Sequence, residues 1–148
     1  MVSINHIISF IIMSFKLITP KNTRDVRLVG RSSLATTTGS LYFNALSGGA
    51  LQLAVAATTQ AQVLYVSNET SASASTPVSM TIVSKEDEFL VDTANNTATT
   101  HNGQRMGISA DGSTLNNTGT DVTGNTGVFV QLAIVGATSA RKIIARRV

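Results

Sequence analysis

Any chemistry in this 148-residue chain must come from two histidines and eight carboxylates, because cysteine is absent. That absence excludes disulfide scaffolds, thiolate metal sites and cysteine nucleophiles. His6 lies in an apolar N-terminal stretch. His101 has Thr100, Asn102 and Gln104 as neighbours, none of them a strong metal ligand or an acid–base partner, so it is expected in an exposed polar loop. Glu86, Asp87 and Glu88 offer the oxygen ligands that Ca²⁺ takes, as do Asp111 and Asp121 with nearby Asn side chains. Neither group follows the EF-hand spacing, and the acidic run is expected to be a solvated turn. No G-x-S-x-G, Walker, G-x-G-x-x-G or H-E-x-x-H motif occurs. A carboxylate pair for glycoside hydrolysis has no local signature either. The expectation is a protein that is not an enzyme and that needs no cofactor or metal. Three Asn-x-Thr triplets, at Asn68, Asn95 and Asn116, are what a chain rich in Asn and Thr yields by chance.

Binding is a better prospect than catalysis, because the charge is unevenly distributed. The net charge is +3. Up to residue 31 the basic residues Lys16, Lys21, Arg24, Arg27 and Arg31 face only Asp25, and the last eight residues carry Arg141, Lys142, Arg146 and Arg147 with no acid. The acids concentrate between these ends. Basic termini around an acidic body suggest contact with an acidic partner surface. Lys21, Arg24, Arg27, Arg31, Arg141, Lys142, Arg146 and Arg147 are therefore the expected interface residues. Simple protection of an edge strand by charge is the plainer explanation. Trp is absent, aromatic residues make up 5%, and no basic–aromatic interleaving appears, so direct nucleic-acid binding is not expected.

The elements that would position these residues read as strands. GVFVQLAIVG, Gly127 to Gly136, has the clearest pattern: Val128, Val130, Leu132 and Ile134 share one face, and Phe129, Gln131, Ala133 and Val135 the other. It is expected near the middle of a packed sheet, and a carboxylate at Val130 or Leu132 is expected to unfold the domain. LYFNAL and ALQLAVAA flank a Ser-Gly-Gly turn and read as a hairpin, with Leu51, Leu53 and Val55 answering Leu41, Phe43 and Ala45. A helix over Ala50–Gln62 is the weaker reading, because Val55, Thr58 and Thr59 oppose it. QVLYVS is a short strand, VSMTIVS alternates after Pro77, and Lys85 to Asp87 form a turn before Phe89 and Val91. Asn102-Gly103 predicts a tight turn with positive φ, and Asp111-Gly112 a two-residue hairpin loop. The tract TGTDVTGNTG leads into the core strand. RKIIARRV is a last strand whose inward set is either Ile143 and Ala145 or Ile144 and Val148.

These signals predict an all-β fold: a single compact β-barrel or β-sandwich of about eight short antiparallel strands with an extended N-terminal arm. Residues 1–15 are expected to be an apolar arm or a start-site extension, and 16–148 one β-domain. The first dozen residues lack the basic start of a signal peptide and fall short of the ~20 apolar residues of a membrane span, so no membrane partner is expected. Hydrophobic residues reach 43% but charged ones only 13%, leaving the polar surface to Ser, Thr, Asn and Gln. Such a surface suits burial against neighbouring subunits.

The stretch HNGQRMGISADGSTLNNTGTDVTGNTGVFVQLAIVGATSARKIIARRV, with SMTIVSKEDEFLVDT before it, resembles the head decoration (capsid cement) proteins of tailed bacteriophages over about the second half of the chain. The resemblance implies a β-rich virion structural protein, frequently a homotrimer, on the outer surface of the head at three-fold or quasi-three-fold positions. Its partner would be the major capsid protein, whose neighbouring subunits it clamps; no active-site residues come with the family. On that reading, reversing Arg24, Arg27, Arg146 and Arg147 to Glu is expected to abolish head binding and leave the fold intact. The alternatives are another virion component, such as a tail-tube or head-fibre protein, and a carbohydrate-binding or adhesin β-domain.

Overall fold

The computed structural model describes residues 15–19, 25–29, 35–44, 51–54, 63–71, 77–117 and 127–148. The expected arm lies outside them apart from Phe15, as do Ala45, Val55 and the tract 118–126. Eleven strands occur among the described residues: β1 (Phe15–Thr19), β2 (Asp25–Val29), β3 (Leu41–Asn44), β4 (Leu51–Leu53), β5 (Leu64–Ser67), β6 (Pro77–Val83), β7 (Glu88–Asp92), β8 (Arg105–Ile108), β9 (Leu115–Asn116), β10 (Phe129–Ile134) and β11 (Lys142–Arg147). They form an antiparallel six-stranded sheet, ordered β1-β7-β11-β10-β8-β9, and an antiparallel five-stranded sheet, ordered β2-β6-β5-β3-β4. The all-β architecture read from the sequence is the one observed.

The two sheets share one core. Leu41, Leu64, Val66 and Val83 from the five-stranded sheet pack with Phe15, Phe89, Val91, Met106, Phe129 and Ile143 from the other. Phe15, Phe89 and Phe129 form an aromatic triangle with ring centroids 5.4 to 6.3 Å apart, two of the contacts edge-on. That geometry sets the positive edge of one ring against the negative face of another. Phe15 therefore belongs to the sandwich and not to an arm; it is 1% exposed at the start of β1. The connection between β6 and β7 carries the chain from one sheet to the other. Its turn holds Glu86 at φ 71°, and the Oδ2 of buried Asp87 accepts the Ser84 N–H at 2.8 Å. The acidic turn is thus solvated only in part.

β10 lies inside its sheet, between β11 and β8. Its inward residues are Phe129 and Gln131, both fully buried, whereas Val130 and Leu132 are half-buried. The strict alternation breaks at Leu132: Gln131 pairs with Ala145, but Ala133 pairs with Ile144, so two steps on β10 match one on β11. This bulge reverses the parity, and Ile134 comes to pack against the same core as Phe129. Gly127 leads into the strand where a Cβ would lie 2.3 Å from the Met106 backbone. No side chain fits there.

The predicted hairpins form, with different details. In β3–β4, Tyr42 pairs with Leu53 and Asn44 with Leu51. Leu51 and Leu53 therefore join Tyr42, Val78 and Met80 in a second apolar cluster and do not answer Leu41 and Phe43. The register set by the turn fixes which face each residue takes. In β8–β9 the last backbone bond runs from Ser109 N–H to the Thr114 carbonyl at 2.9 Å, so the Asp111-Gly112 pair sits inside a longer loop. Gly103 has φ 81° in the tight turn expected of it, with the Gln104 N–H bonded to the His101 carbonyl.

Candidate interaction surface

The expected interface residues separate once the strands form. Along β11, burial alternates so that Ile143, Ala145 and Arg147 face the core. Lys142, Ile144 and Arg146 take the opposite face, because successive strand residues point to opposite sides. Arg146 and Arg147, adjacent in sequence, therefore point apart. Arg147 is 3% exposed, and its Nη1 donates to the carbonyl oxygens of Val128 at 2.9 Å and Val148 at 2.8 Å. Burial pushes its guanidinium down to about 10, which leaves it protonated at neutral pH. The structure withdraws Arg147 from any surface contact.

The outward face has a definite composition. At one end Lys142 pairs with its cross-strand neighbour Asp92. At the other, Arg146 pairs with Glu86 at 3.2 Å and lies opposite Glu88. Between these ends Ile144 sits opposite Leu90, and Val130 beside Arg146 and Arg105. All three apolar residues are half-buried. At the sheet's edge, the bulge in β1 leaves Ile18 45% exposed. Exposed ion pairs contribute about 0–1 kcal/mol each to stability, so Lys142 and Arg146 mainly define the rim of an apolar strip.

Arg141 lies elsewhere. It adopts a left-handed conformation, φ 53°, between the short helical turn Thr138–Ala140 and β11. Its Nε donates to Asn96 Oδ1 at 3.3 Å and its Nη1 to the Ala94 carbonyl at 3.4 Å. With Asp111 it lines a cleft at the end of the six-stranded sheet. Arg27 belongs to β2, an edge strand of the five-stranded sheet among the described residues, where its backbone pairs with Ser79. Lys21, Arg24 and Arg31 lie outside the described residues. The one described N-terminal cation of the set is thus on a different sheet from the C-terminal ones, and no single basic patch joins them.

The polar residues first weighed for chemistry serve the loops. His101 is half-buried, with its Nδ1 enclosed and unbonded. Gln131, an inward residue of the core strand, donates Nε2 to the Ala98 carbonyl and to Asn102 Oδ1, each at 2.8 Å, and so supports the loop carrying His101. Asn117, fully buried, donates to the carbonyls of Asn95 and Asn96 and accepts the Asn95 N–H at 3.0 Å. Among the described residues no group of three or more His, Asp or Glu is arranged to hold a metal ion, and no helix is long and apolar enough to cross a membrane. The cleft at Arg141 was not foreseen, because no residue pattern marks an arginine for a left-handed backbone. The chain matches no protein-family model, no curated protein and no solved structure.

Proposed function

We propose that this protein is a non-enzymatic structural component of a tailed-phage virion, binding the outer surface of the assembled head as a homotrimer and stabilising contacts between major capsid subunits. The observation that carries this reading is the outward face of β7, β10 and β11. Leu90, Ile144 and Val130 form a half-buried apolar centre, and the Lys142–Asp92 and Arg146–Glu86 pairs form its charged rim. An apolar centre inside a polar rim is the usual build of a protein–protein contact, and the low charged share of 13% fits a surface covered by neighbours. A rigid sandwich holds that face in one shape, which limits the ordering cost of binding. A trimer adds effective concentration without strong individual contacts.

The test is binding to purified heads by co-sedimentation, comparing the native protein with Ile144→Asp and with Lys142→Glu combined with Arg146→Glu. Each variant should lower affinity by about tenfold or more while circular dichroism stays native. Unchanged occupancy in both variants would sink the reading.

A further inference from the structure

The cleft between the β7–η loop, the β8–β9 hairpin and the start of β11 encloses about 470 Å³ and is lined by Thr93, Ser109, Asp111, Thr114 and Arg141, together with two alanines. Its two charges are opposite, yet neither forms an ion pair with any residue. Each is instead held from behind. Asp111 Oδ1 accepts the Ser113 N–H at 3.0 Å and the Thr114 hydroxyl at 3.5 Å, leaving Oδ2 unengaged. Arg141 spends Nε and Nη1 on Asn96 and Ala94, leaving Nη2 unengaged. Ser109 Oγ accepts the Thr114 hydroxyl at 2.8 Å and keeps its own proton to donate. The free groups are therefore one anionic acceptor, one cationic donor and one hydroxyl donor, on side chains whose rotamers are already restrained.

We propose that this cleft binds a small zwitterion, its ammonium group on Asp111 and its carboxylate on Arg141 and Ser109. A ligand carrying a single charge gains little at an exposed site, because water and salt screen it. One carrying both charges engages the second group at a high effective concentration once the first is held. The two side chains are too far apart to neutralise each other, so the ligand's charge separation decides the fit. A sugar is disfavoured by the lining, which offers small side chains and hydroxyls and no aromatic face for a ring to stack on. This inference is independent of the head-binding proposal.

The test is titration of the ¹⁵N-labelled full chain with glycine, β-alanine, γ-aminobutyrate and 5-aminopentanoate, followed by amide shifts. One length should saturate and move the amides of Ala110 to Thr114 and of Arg141. Methylammonium and acetate, each alone, should bind about tenfold more weakly than that zwitterion. Asp111→Asn and Arg141→Asn should each lose about tenfold in affinity with the rest of the spectrum unchanged, since Asn tolerates the left-handed backbone. If no length saturates, or if acetate or glucose binds as tightly as the best zwitterion, the proposal is wrong. The ligand series on the native chain decides this even if a variant fails to fold.

Discussion

The Nη1 of Arg147 donates to the carbonyl oxygen of Val128 at 2.9 Å, which ties the end of the last strand to the entry of β10 from inside the molecule. The backbone repeats the link, with the Val148 N–H bonded to the same carbonyl at 3.2 Å and the Arg147 N–H bonded to Asp87 at 3.0 Å. A residue that reads as part of a basic tail is therefore part of the frame. Arg147→Glu would set a buried carboxylate against carbonyl oxygens, at a cost of about 3–5 kcal/mol. Arg147→Met keeps the stem's packing and should cost about 1–3 kcal/mol for the unmet hydrogen bonds. Urea denaturation of the two variants should give that order. A stable Arg147→Glu protein would contradict the buried placement, and it was the outcome the charge pattern alone suggested.

The centre of β10 offers a second comparison. Phe129 is 0% exposed and touches both Phe15 and Phe89 in the aromatic triangle. Phe129→Ala should cost about 3–5 kcal/mol. Val130 faces the other way and is half-buried, so Val130→Asp should cost about 1 kcal/mol and leave a folded protein. Thermal melts that reverse this order would show that the inward face has been misassigned.

Gly127 tests the close approach of backbones at the start of the same strand. A methyl group there would lie 2.3 Å from both the carbonyl carbon and the oxygen of Met106, so the backbone itself would have to move. Gly127→Ala should lose about 1–3 kcal/mol by overpacking. An unchanged melting temperature would contradict the contact.

At the opposite end of the β8–β9 hairpin, the loop should respond to pH through Asp111. Partial burial acts to raise its carboxyl, but hydrogen bonds from Ser113 and Thr114 together outweigh burial and hold it below its ordinary 3.8. A depressed carboxylate lends its support above the unfolded value and loses it as pH falls through the lower, folded one. Amide protection at Ser113 should therefore be constant above pH 3.8 and decline only below it. In Asp111→Asn that acid-linked decline should vanish. A decline already complete by pH 5 would contradict the hydrogen-bonded loop.

The comparison of sequence with structure turns on parity. Alternation and turn residues located β10, the β3–β4 and β8–β9 hairpins and the Asn102-Gly103 turn, because each is encoded locally. They could not say which face of β10 points inward, since both faces are largely apolar and the Leu132 bulge changes the phase midway. The same limit misplaced Leu51 and Leu53, whose register depends on how the chain turns between the two strands. For the interface, charge pattern picked out Lys142 and Arg146, which do reach the outward face with acidic partners beside them. It could not separate Arg146 from Arg147, because that distinction exists only once β11 is seated between β7 and β10. Nor could it pair Arg141 with Asp111, thirty positions earlier, since only the packing of loops brings them to one cleft.

The central claim, that this sandwich decorates a phage head, is tested most directly by electron cryomicroscopy of purified heads saturated with the protein. The account predicts added trimeric density on the outer surface at three-fold or quasi-three-fold positions, with the β7–β11–β10 face against capsid subunits. Heads that show no added density at saturating protein would contradict it.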